Sequence, residues 1–201
     1  TLPLVMAPRE TVLPRFVASP EEIQQVRDVV AAKIGRTVIP PLILLNPNAS
    51  DLLPFRRWET SRYVQLAKQL LETFPDVFII FTGGRAETDA NEALAREVDS
   101  ERCVSLAGQT TLRQLLILYS LSNVLVTNDS GPAHFAALTS IQVVTLFGPE
   151  TPKLFGSRTP RHTAIWAGLA CSPCVNAYNN RQTACTNNLC MQRISVEEVF
   201  A

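Results

Sequence analysis

The chain has 201 residues, 46% of them hydrophobic, which is enough to bury one substantial core and suits one domain or one domain with an arm. Its 18 basic and 18 acidic residues cancel to a formal charge of zero, which argues against a broad nucleic-acid footprint. No apolar run approaches the length of a membrane span, and residues 1–7 lack the charged start and long apolar stretch of a secretory signal.

Residues 1–18 carry Pro3, Pro8 and Pro14 with no helical period, which predicts an arm or interdomain connection ahead of a domain over 19–201. Ser19, Pro20 and Glu22 then form a cap, a first-turn proline and a capping-box acid. Gly35 supplies a stop after Ile23, Val26, Val29, Val30 and Ile34, so this segment reads as an amphipathic helix. From residue 42 onward short apolar runs alternate with helical patterns. Runs at 42–45, 77–81, 104–106, 124–126 and 143–147 are separated by helices at 63–71, 86–98, 112–121 and 132–138. Apolar strands separated by helices predict five parallel strands of a doubly wound α/β sheet, Rossmann-like, with both faces covered. A further helix start stands at Ser195, and the chain reads as a piece of something longer.

In such sheets ligands bind beyond the carboxyl ends of the strands. The residues there are small, polar or glycine-rich: Asn46 to Asp51, Thr82 to Arg85, Ala107 to Thr110, Thr127 to His134 and Gly148 to Pro152. None has the spaced glycines of a dinucleotide fingerprint or the Lys-Ser/Thr ending of a P-loop, which argues against a nicotinamide enzyme or a P-loop NTPase. The most informative loop is Thr127-Asn128-Asp129-Ser130-Gly131-Pro132-Ala133-His134, where a strand delivers an acid, a hydroxyl, a glycine and a histidine to the opening turn of a helix. Unpaired N–H groups at such a turn suit phosphate, and Gly131 allows close backbone approach. The same residues equally suit a plain helix start, with Asp129 or Ser130 as cap and Pro132 in the first turn.

Several of these segments together carry a resemblance. Pro47-Asn48-Ala49-Ser50, then Arg56-Arg57-Trp58 with Tyr63-Val64-Gln65-Leu66-Ala67, then Asp129 to Ala137, then Val143-Val144-Thr145-Leu146-Phe147-Gly148-Pro149 resemble glycosyltransferase family 9, the family of the lipopolysaccharide heptosyltransferases. The similarity runs from about Leu42 to the end and covers only the C-terminal half of such an enzyme. It implies a GT-B fold, of which this chain is the C-terminal, nucleotide-sugar-binding domain and the N-terminal domain is absent.

By that resemblance the donor set is Asp129, Ser130 and Gly131 toward sugar and diphosphate, His134 one turn along, Arg56 toward the phosphates, Thr110 and Glu87 near the nucleoside, and Ser50 in the first loop. Arg56 stands where the family usually carries lysine, and Glu59 where it usually carries proline. Arginine keeps the charge but replaces a point donor with a planar fork. The resemblance further implies ADP-heptose as donor, a lipopolysaccharide-core or other glycan acceptor met through the missing domain, inversion at the anomeric carbon, a cytoplasmic location with peripheral contact at the inner membrane, and no cofactor for the chemistry. The catalytic base belongs to an aspartate of the N-terminal domain, so no catalytic residue is expected here.

From the chemistry alone, breaking a glycosyl-phosphate bond leaves a diphosphate whose charge needs cations and oriented N–H groups. Arg56 and the Asp129 loop can supply both. Asp129 beside phosphates would be repulsive, which directs it toward sugar hydroxyls. His134 either faces the ligand, where its ring donates to phosphate, or is a satisfied core histidine. His162 reads as part of a connecting segment, Trp58 as packing at a helix start, and Cys103 as a buried thiol.

Cys171-x2-Cys174-x10-Cys185-x4-Cys190 form a dense segment over 171–190 that is compatible with a tetrahedral structural zinc site. Two disulfides or four reduced thiols fit the same spacing. Two rival functions therefore stand beside the leading one: a GT-B transferase using another nucleotide sugar, and a non-enzymatic interaction module organised by the cysteines.

Overall fold

The computed structural model describes residues 13–175, 179–180 and 182–201. Most of the expected arm, residues 1–12, lies outside them, as do residues 176–178 and 181 of the cysteine segment. Residues 13–18 run along the domain: Phe16 N donates to Leu138 O at 2.8 Å, and Phe16 and Ala18 pack against the core.

The elements alternate as the apolar runs predict. Helix α1 (Pro20–Ile34) precedes strand β1 (Leu42–Asn46), α2 (Thr60–Thr73), β2 (Phe78–Phe81), α3 (Thr88–Val98) and β3 (Cys103–Ser105). Then come α4 (Leu112–Ser120), β4 (Val124–Asn128), α5 (Gly131–Ala136), β5 (Gln142–Phe147), α6 (Pro152–Phe155), β6 (His162–Trp166), α7 (Leu189–Gln192) and α8 (Val196–Phe200). Single 3-10 turns at Pro54–Arg56 and Arg85–Glu87 lead into α2 and α3. The capping box of α1 forms in full, and Gly35 ends that helix at φ 64°.

The six strands are parallel in the order β3-β2-β1-β4-β5-β6, so the order reverses between β1 and β4. Strand side chains alternate faces, and here both faces are apolar. Ile43, Leu45, Ile79, Phe81 and Val126 join one cluster with Tyr63, Leu66 and Leu70 of α2, Leu94 of α3 and Val199 of α8. Leu42, Leu44, Phe78, Ile80 and Leu125 join the other with Val26 and Val30 of α1, Ile117 of α4 and Ala133 of α5.

One expectation is corrected. The sheet has six strands where the apolar runs predicted five, because β6 is an edge strand with Thr163 and Ala164 exposed, so it needs no continuous apolar run. His162, read as part of a connection, opens that strand, and its ring sits edge-on to Phe147. Burial, with a smaller contribution from the charge of His134, lowers its pKa below the usual histidine value.

Candidate functional site

A cleft of about 340 Å³ opens beyond the carboxyl ends of the strands flanking the reversal between β1 and β4. Its floor is stitched by asparagines. Asn46 Nδ2 donates to Thr82 Oγ1 at 3.3 Å, and Asn48 Nδ2 to Thr82 O at 3.1 Å, which ties the loop after β1 to the end of β2. Asn128, fully buried at the end of β4, donates to Pro47 O at 2.9 Å and accepts from Trp58 N at 3.0 Å and Tyr63 Oη at 3.2 Å. One amide at the end of β4 thus gathers the loop after β1 and the start of α2, 65 to 81 positions away. Burial holds the Tyr63 phenol far above its usual range, so it stays a donor.

Six of the eight expected site residues line the cleft: Ser50, Arg56, Glu87, Thr110, Ser130 and Gly131. Ser50 Oγ accepts from Leu52 N at 3.3 Å, and Glu87 Oε2 accepts from Gly84 N at 2.6 Å. A Cβ at Gly83 would stand 2.7 Å from Asn48 Nδ2 and 2.8 Å from Glu87 Oε2, so a side chain there would push these two polar groups aside. Ser130 occupies the cap position of α5, but its hydroxyl donates to Asn128 O at 3.2 Å and makes no cap bond. With six residues, a proline at its second position and Ala133 N already bonded to Ser130 O, α5 offers an anion only a small dipole.

Asp129 and His134 are placed differently. Asp129 is buried behind the lining, with its N–H donating to Leu146 O at 3.0 Å and Oδ2 lying 3.5 Å from Arg56 Nε. His134 is exposed on α5 and does not line the cleft, so it is not a core histidine either.

Arg56 is the cation among the lining residues, and its guanidinium is engaged from below. Nη1 donates to Asp129 O at 3.3 Å and Nη2 to Glu150 Oε2. The arginine side chain is 13% exposed, that of Asp129 5% and that of Glu150 1%. Two buried acids thus bracket one cation. Sequence reasoning placed Glu150 in a loop beyond β5 without giving it a role, since no spacing pattern links residues 94 positions apart. Trp58 is core, as its helix-start position predicts: it packs edge-on to Tyr63 at 5.1 Å and donates through Nε1 to Ile194 O at 2.9 Å.

The five cysteines are free thiols. Cys103 is buried in β3, which pushes its thiol up to about 12. Burial also raises the thiol of Cys190, with smaller contributions from the neighbouring Cys174 and Cys185. Among the described residues no group of three or more histidine, cysteine or acidic side chains is arranged to hold a metal ion.

The profile of glycosyltransferase family 9 (heptosyltransferase) matches residues 8–184, most of the chain. The chain belongs to glycosyltransferase family 9. Among curated members of that family, lipopolysaccharide heptosyltransferase 2 of Salmonella typhimurium is 39% identical over 115 residues, covering 56% of this chain and 32% of the relative. The solved structure of E. coli ADP-heptose lipopolysaccharide heptosyltransferase II superposes with a TM-score of 0.74 at 24% identity, over 96% of this chain and 53% of that one. E. coli heptosyltransferase WaaC, solved with ADP, gives a TM-score of 0.59 at 16% identity over 80% and 42%. The family 9 chain described here therefore spans about a third to a half of the length of such relatives, and it shares their Rossmann-like fold. Among its described residues no helix is long and apolar enough to cross a membrane.

Proposed function

We propose that this chain is the donor-binding half of a glycosyltransferase that moves a heptose from ADP-heptose to a lipopolysaccharide-core or similar glycan acceptor, on the cytoplasmic side of the membrane. The observation that carries the reading is the cleft at the strand-order reversal, where Arg56 is brought beside hydroxyls and glycine backbone. A leaving diphosphate gains negative charge as the glycosyl bond breaks, and a preorganised guanidinium in a partly desolvated cleft stabilises that charge. Glu87 and Thr110, on the wall formed by the loops after β2 and β3, fit a nucleoside with donors and acceptors of its own. The acid that would deprotonate the acceptor hydroxyl belongs to the partner half.

Calorimetric titration with ADP-heptose, ADP, UDP and UDP-glucose at one salt concentration tests the reading. Preferential binding of the adenine ligands is expected. Preference for the uracil ligands would keep the fold and replace the substrate. Binding of none would remove the donor role from this chain.

The reading assigns no cofactor to the transfer. The residues that would hold a structural zinc are Cys171, Cys174, Cys185 and Cys190; metal analysis of purified chain before and after chelation tests this, and metal-free protein with an unchanged melting temperature would dismiss it.

A further inference from the structure

Glu150 is the buried charge that a phosphate-binding cleft would least be expected to contain. It lies beneath the lining, and its Oε1 has no hydrogen-bond partner among the described residues, while Oε2 is taken by Arg56. With Asp129 it sets two carboxylates beside the Arg56 guanidinium, and its own charge opposes an incoming polyanion. What its other oxygen holds is the arginine.

The two partners are held very differently. Arg56 ends a single 3-10 turn, with no strand or long helix to fix its backbone. Glu150 sits in a loop that is clamped from several sides. Cys174 N and Val175 N both donate to Pro149 O, at 2.9 and 3.3 Å, and Ser172 Oγ donates to Gly148 O at 2.6 Å. Met191 and Cys190 close on Gly148 so tightly that a Cβ there would collide with the methionine sulfur. On the far side Thr151 caps α6 through Lys153 N at 3.3 Å. The carboxylate is therefore held by its own loop, and the guanidinium, at the end of a long side chain, takes its place from Glu150 Oε2 and Asp129 O.

We infer that Glu150 is a positioning residue for the donor diphosphate: it fixes the Arg56 guanidinium under the cleft, and its negative charge limits how tightly the diphosphate product is retained. The inference rests on the donor-cleft reading above. Two properties of one side chain are separated by two substitutions. Glu150→Ala removes both the acceptor and the charge. Glu150→Gln keeps a carbonyl acceptor for Arg56 and removes only the charge.

The 201-residue chain and both variants are titrated with ADP, AMP and adenosine, with thermal melts alongside. Adenosine affinity is expected to stay within about twofold throughout, because the nucleoside wall is untouched. In Glu150→Ala the gain in affinity from adenosine to ADP should shrink by about tenfold or more, the scale of a lost hydrogen bond to a charged group. In Glu150→Gln the same gain should rise severalfold, because the acceptor for Arg56 stays and the opposing charge goes.

Equal losses for ADP and adenosine would mark a packing role and overturn the inference. So would an unchanged ADP gain in either variant, or a fall in Glu150→Gln. Should Glu150→Ala not fold, Glu150→Gln decides alone, since a weakened ADP gain there contradicts the charge argument. Failure of the unsubstituted chain to bind ADP would overturn the donor-cleft reading itself, and the role of Glu150 with it.

Discussion

Both ends of the Asn128 amide are used, its Nδ2 toward Pro47 O and its Oδ1 toward Trp58 N and Tyr63 Oη. Aspartate at that position would keep the shape and turn a donor into an acceptor facing a carbonyl. Asn128→Asp should cost roughly 1–3 kcal/mol for the carbonyl left without a donor, measured by urea denaturation; a loss near zero would mean that water replaces the amide. Arg56 is held between two buried acids, and breaking such a cluster leaves uncompensated charge. Arg56→Ala should lower stability by about 3–5 kcal/mol and remove the phosphate contribution to ADP binding. Unchanged ADP affinity would take the phosphate role away from this residue. At this scale the sequence is legible where chemistry is local. Ser19 and Glu22 announce their capping box. Glu150 stays hidden because its meaning comes from a partner brought near only by the sheet, and the burial of Asp129 follows from packing that no spacing reveals.

Helix α1 shows how far a single element can be read. Its cap and its glycine stop are both written between Ser19 and Gly35, and Ser19→Ala should cost about 1 kcal/mol in a denaturant melt. What the same segment does not disclose is its pairing with α4, where Arg113 meets the Glu22 carboxylate and lies over the Phe16 ring at 5.2 Å. The Arg113 guanidinium, with the Ser19 backbone N–H, brings the Glu22 carboxyl down to about 2 from its ordinary 4.5. A depressed carboxyl stabilises the fold above its unfolded value and loses that contribution as pH falls through the folded one. The melting temperatures of the wild type and Arg113→Ala should therefore differ at neutral pH and converge between about 4.5 and about 2. A gap that persists below that window would assign the effect to the Phe16 contact instead. Strands β1 and β2 declared themselves because both their faces are buried and their runs unbroken. Strand β6 did not, since an edge strand tolerates Thr163 and Ala164 in the open.

At the scale of the molecule, the cleft exists only where β1 and β4 lie side by side, although Leu42 and Asn123 are 81 positions apart. A ligand that binds there selects the completed sheet over any partial one. ADP at a hundred times its dissociation constant should add about 2.7 kcal/mol, or roughly 5–11 °C for a chain of this size, in a thermal melt. The doubly wound class was readable from the alternation of runs, but the order of strands was not, because alternation is equally compatible with several orders. That order has a consequence for biosynthesis. Strands β1, β2 and β3 leave the ribosome before β4, which must then dock on the other side of β1. While residues 106–128 are being added, about 1–5 s at ordinary elongation rates, the apolar Leu42–Asn46 segment has an unpaired edge. The nascent chain is then most open to pairing with a neighbour, and that interval is when a chaperone would have most to protect.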